Sequence, residues 1–80
     1  MKLPRDLSGA ELAHVLCTQY GYRFVHQAGS HIVLETKDPV HHRLAVPDHS
    51  PLRIGTLNAI LHSVSNVKGV GKEEIARKLR

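Results

Sequence analysis

Seven histidines in 80 residues are the side chains of this chain best suited to chemistry. An imidazole with an ordinary pKa of about 6.5 takes and gives a proton near neutral pH. His31 has the most suggestive setting, directly after Gly29 and Ser30 and at the head of an alternating segment. Gly29 admits close approach of a backbone or a phosphate, and the Ser30 hydroxyl can donate to a phosphate or orient the ring. RNA is a substrate that such a histidine can cut without a metal. The 2′-hydroxyl attacks the adjacent phosphate, a base takes its proton, an acid protonates the departing 5′-oxygen, and cations meet the charge of the phosphorane. The plainer reading of an isolated Gly-Ser-His is a solvated strand histidine.

The remaining titratable groups divide by neighbourhood. His26 falls on the neighbouring strand and is the first candidate for a second proton-transfer group. His41, His42 and His49 have no conventional zinc spacing with cysteine or carboxylate partners, so they read as solvated loop residues and no metal site is expected. His14 and His62 fall on helices, at the rim of the packed faces, with a structural role. Cys17 lies on the flank of an apolar helix face without the electropositive surroundings of a reactive thiol, and it reads as a small packing residue. Arg23, Lys37, Arg43 and Arg53 are the expected phosphate contacts, each modest and salt-sensitive, with Lys68 and Lys72 extending the path. Glu73 and Glu74 precede Arg77, Lys78 and Arg80 with signs that suit a helix dipole, so that tail reads as a solvated helix. Lys2 and Arg5 stay open between solubility and RNA contact.

The elements that position these groups follow from pattern. Eighty residues make one domain, 1–80, with a modest core. A composition 41% hydrophobic and 22% charged is globular and argues against disorder. No apolar run has the length of a membrane helix and no leader-like start is seen, which leads us to expect a soluble cytoplasmic protein. A net charge of +4 suits a polyanionic partner. Three aromatic residues and no Trp argue against a base-stacking sheet, so phosphate and ribose contacts are expected to dominate.

Ser8-Gly9-Ala10-Glu11 has capping-box spacing, and Leu12, Val15, Leu16, Gln19 and Tyr20 share one face of a helix over 8–20. Gly21 ends it. Residues 22–28 are rich in strand formers, with Gly29-Ser30 a turn or bulge. His31 to Lys37 alternates, and His42 to Pro47 reads as a third strand. A hairpin centred on Pro39 sets Ile32 against Val46 and Leu34 against Leu44 on the inner side, and Glu35 against Arg43 on the outer side. Leu57, Ile60, Leu61 and Val64 mark a helix over 54–64, Ser65 to Gly71 reads as polar connection, and a short helix starts near Lys72 with Val70 and Ile75 placed as a hydrophobic staple. The expected fold is α+β: a three-stranded antiparallel sheet with the helices on one face. The other face stays open and carries His31, Val33, Glu35, Arg43 and Ala45.

These pieces together resemble the HicA toxin family of mRNA interferases. The resemblance rests on Leu3-Pro4-Arg5-Asp6-Leu7-Ser8-Gly9, Gly21-Tyr22, Gln27-Ala28-Gly29-Ser30-His31, Val46-Pro47-Asp48-His49 and Gly55-Thr56-Leu57-Asn58-Ala59-Ile60-Leu61, in that order over about residues 2–64. The chain departs from the family at Ala28, where a basic residue is common, and at Ile32, where a polar one is. The resemblance implies an α-β-β-β-α fold similar to a double-stranded-RNA-binding domain. It also implies ribosome-independent RNA cleavage without a cofactor, His31 as the catalytic residue with Gly29 and Ser30 before it, and neutralisation by a HicB-type antitoxin. Two other readings compete. A non-catalytic RNA-binding module would shift RNA without cutting it, and a protein-interaction domain would show no salt-sensitive RNA affinity.

Overall fold

The computed structural model describes residues 3–79. Helix α1 (Gly9–Gln19) leads into strands β1 (Arg23–Ala28), β2 (His31–Thr36) and β3 (His42–Pro47), followed by helices α2 (Ile54–Lys68) and α3 (Lys72–Arg77). The strands form one antiparallel sheet in the order β1-β2-β3, which is the α+β architecture expected.

Three helix ends have a local cause. The Ser8 side chain accepts from the Glu11 N–H at 3.0 Å while Glu11 accepts from the Ser8 N–H at 2.9 Å, the reciprocal bonds of a capping box. Leu12, Ala13, Leu16 and Tyr20 are buried along α1, whereas Gln19 is exposed and does not belong to the packed face. Helix α2 runs four residues beyond the expected Val64. Val67 continues the apolar stripe half-buried, and the true stop is Gly69, which takes the left-handed conformation at φ +67°. Its buried side, Leu57, Ile60, Leu61 and Val64, meets Leu12, Leu16, Leu34 and Val46 in one core. The staple is present: Gly71 caps α3, Ile75 is fully buried and Val70 packs against the core. The tail is not a merely solvated helix, because Ile75, Ala76 and Leu79 are buried and the Lys78 ammonium lies 5.1 Å from the centre of the Tyr20 ring. Lys2 and Arg80 lie outside the described residues.

The β2–β3 pairing is the expected one, with Ile32 opposite Val46, Leu34 opposite Leu44 and Glu35 opposite Arg43. Strand β1 differs in two respects. Tyr22 lies just before it and is buried, and the register slips between Phe24 and His26 in a β-bulge. β1 is an edge of the sheet, and all six of its residues are exposed. A bulge on such an edge disrupts pairing with a further strand.

Candidate functional site

Strand register fixes which side chains share the open face. Arg23, Glu35 and Arg43 form one cross-strand row; His26, Val33 and Ala45 the next; Ala28, His31 and Pro47 the last. His26 and His31 therefore stand on one face as diagonal neighbours, a placement of about 7–8 Å between Cα atoms that long side chains can bridge. Both are exposed. Ala28 pairs with His31, so Gly29 and Ser30 are the two loop residues of the hairpin. Gly29 has φ +59°, the positive value that either favoured two-residue turn requires at its first position. Beyond its chain neighbours, no atom lies within 4 Å of the place a Cβ on Gly29 would take, so the turn is open to solvent there.

The turn is fastened both from β1 and from the loop after β3. Asp48 N–H donates to Ser30 C=O at 2.6 Å, and Gln27 Nε2 donates to Asp48 Oδ2 at 3.0 Å and to Gly29 C=O at 3.4 Å. Sequence reasoning missed Gln27 and Asp48 as participants. Both sit inside the motifs that resemble the family, but no spacing rule links residues 27 and 48.

The expected cations do not form one path. Lys37 stands just beyond the far end of β2, six residues or about 20 Å of extended chain from His31. Arg23 and Arg43 flank Glu35 in register, and Arg43 Nη2 lies 3.3 Å from its carboxylate, so part of the Arg43 charge is already met within the sheet. Arg53, just before α2, is exposed and lines a cleft with Pro47, His49, Leu52 and Thr56. Lys68 is not available to extend the path. Its ammonium donates to Thr36 Oγ1 at 2.8 Å and to the Asp38 carbonyl, 5.1 Å from the centre of the Tyr22 ring, and so pins the end of α2 to the β2–β3 connection. That contact satisfies the buried Thr36 hydroxyl.

The remaining histidines are engaged more than a loop reading allows. His41 Nε2–H donates to Glu35 at 2.7 Å; that bond, with the Arg43 guanidinium, holds the Glu35 carboxyl below the ordinary carboxylate range. His42 is half-buried with Nδ1 2.8 Å from Tyr22 Oη. Burial pushes the Tyr22 phenol up to about 12, so it stays protonated and donates to the imidazole. His14 and His62 are exposed rather than part of the packing, and Cys17 packs against the core with its thiol pushed up by burial.

Burial, then the charges of His41 and Lys68, hold His42 below its ordinary value. A group depressed on folding stabilises fully above its unfolded pKa of about 6.5 and loses that contribution as pH falls through the folded value. Melting temperature should therefore decline as pH drops from 7.5 toward 5. The decline should flatten in His42→Gln; an equally steep decline in that variant would assign the effect to other groups.

Among the described residues no three His, Cys, Asp or Glu side chains gather as a metal would need, and no helix is long and apolar enough to cross a membrane. A family model described as "HicA toxin of bacterial toxin-antitoxin" matches residues 9–64. No curated protein and no solved structure matches the chain.

Proposed function

The chain belongs to the HicA toxin family of bacterial toxin–antitoxin systems, and from that premise we propose that it is a cytoplasmic, ribosome-independent endoribonuclease acting on mRNA. The observation that carries this reading is the placement of His31 and His26 on one exposed sheet face, one diagonal apart, beside the open turn at Gly29. A phosphodiester bridging that gap has an imidazole on either side. One ring takes the 2′-hydroxyl proton as that oxygen attacks phosphorus; the other gives a proton to the 5′-oxygen as its bond to phosphorus breaks. His31 is the catalytic residue of this proposal, with His26 as the second proton-transfer group. Arg53 would contact the RNA at the cleft beside Pro47 and His49, while Arg23, Arg43 and Lys37 guide the strand along the sheet.

The family supplies an antitoxin as partner. We propose one of the HicB type, acidic and seated on the open face, where charge complementarity to a chain of +4 speeds association.

Because the nucleophile is a ribose hydroxyl, RNA should be cut and DNA of the same sequence left whole. The upstream product should end in a 2′,3′-cyclic phosphate or its opened form, cleavage should persist in chelator, and the antitoxin should stop it. Cleaved DNA, or activity lost in chelator and restored by magnesium, would overturn the mechanism. RNA that shifts in a gel and stays intact would favour the non-catalytic binding module.

A further inference from the structure

We propose that Gln27 and Asp48 are positioning residues for His31, joined as a side-chain clasp that holds the Gly29-Ser30 turn in register with the loop after β3. The proposal rests on His31 as the cleaving residue.

A two-residue turn at the exposed end of a sheet is ordinarily a mobile place to hold a reacting group. Here the turn has two tethers outside its own ladder, and a third bond joins the residues that supply them. The Asp48 amide holds Ser30 C=O, the Gln27 carboxamide holds the Asp48 carboxylate, and the same nitrogen reaches Gly29 C=O. One side chain of β1 thus links the strand before the turn, the turn and the β3–α2 loop.

Asp48 is itself anchored from the core side. Its neighbour His49 accepts at its carbonyl from Gly9 N–H at 2.9 Å, and Leu52 N–H donates to Leu7 C=O at 2.8 Å. Leu7, Gly9 and Leu52 are buried. Two adjacent loop residues, His49 and Asp48, thus link the start of α1 to the residue that precedes His31.

Gln27 and Asp48 are both exposed, where hydrogen bonds contribute little to stability. Geometry is a different matter. A displacement of about 1 Å at a reacting group costs about 100-fold in rate. Such a pair is weakly needed by the fold and strongly needed by the turn that aims the imidazole.

The test compares Asp48→Ala, Gln27→Ala, the double variant, Asp48→Asn and His31→Ala on one RNA, with amide exchange measured alongside. Each alanine variant should lower kcat by about 10- to 100-fold. KM should stay within about twofold, since the phosphate contacts lie elsewhere. The double variant should be no worse than either single one, because both break the same clasp. Asp48→Asn, which keeps an oxygen for the Gln27 amide, should restore most of what Asp48→Ala loses. Exchange of the backbone amide at position 48 should quicken in both alanine variants. Wild-type kcat in Asp48→Ala beside an inactive His31→Ala would overturn the clasp alone. Asp48→Asn as impaired as Asp48→Ala would also overturn it, and assign the effect to the carboxylate charge. Full cleavage by His31→Ala would overturn the reading beneath the proposal, whatever the exchange data show for the turn.

Discussion

His31→Ala should lower cleavage of a susceptible RNA by about two to four orders of magnitude, the range that one proton-transferring side chain contributes. The side chain is exposed at the first position of β2 and belongs to no core cluster. Its removal leaves no cavity, and stability should change by less than about 0.5 kcal/mol. RNA affinity should largely survive, because phosphate contacts come from arginine and lysine. His26→Ala should show a comparable loss if it supplies the second proton. His49→Ala should show less, and His42→Ala should lower the melting temperature instead, because His42 is hydrogen-bonded to Tyr22 in a half-buried position. Cleavage by the variants and thermal melts together decide the matter. Undiminished activity in His31→Ala would end the catalytic role. Lost activity with a collapsed melting temperature would make His31 a residue of the fold.

The parts of this molecule legible in the sequence are those with a period or a pairing rule. The β2–β3 register follows from alternation, because a one-residue slip would turn Ile32, Leu34 and Val46 out of the core and part Glu35 from Arg43. The capping box and the staple around Gly71 are legible for a similar reason: each is a short-range device with fixed spacing. The end of α2 is harder, since a helix continues through polar residues as readily as it stops, and only Gly69 carries the signal.

What stays hidden is long-range and polar. In the sequence Lys68 is one more free cation; its engagement with Thr36 and Asp38 joins residues thirty or more positions apart. His42 reads as solvated until Tyr22, twenty residues earlier, comes within hydrogen-bonding distance. In the candidate site, chemistry and motif single out His31, Gly29 and Ser30, and a place on the neighbouring strand singles out His26. The β1 bulge decides which β1 side chains join His31 on the open face, and it leaves no compositional mark. The Gln27–Asp48 bond depends on where the β3–α2 loop comes to lie, which no periodicity predicts.

Gly9→Ala should join stability and activity in one measurement. Helix propensity alone predicts a gain, since alanine is favoured over glycine by about 1 kcal/mol within a helix. The packing predicts the reverse. A Cβ on Gly9 would stand 1.8 Å from the Pro47 carbonyl oxygen and 2.9 Å from its carbon. Both atoms are backbone, so no rotamer change relieves the overlap. Overpacking of this kind costs about 1–3 kcal/mol and sometimes more, enough to outweigh the propensity gain. For a domain of this size each kcal/mol lowers the melting temperature by about 4–8 °C. The loop from Pro47 to Leu52 must retreat from α1, which weakens the Gly9–His49 bond and carries Asp48 away from Ser30. Cleavage at temperatures where the variant remains folded should accordingly fall by at least about 10-fold, as a misaimed reacting group requires. Gly55→Ala is the natural comparison. That glycine lies in the first turn of α2, and nothing stands within 4 Å of the place its added methyl would take. Alanine there should leave melting temperature and cleavage unchanged or slightly raised. A Gly9→Ala protein that melts at or above the wild-type temperature would show that the loop yields freely, and that the first turn of α1 does not hold the Gly29-Ser30 turn in place.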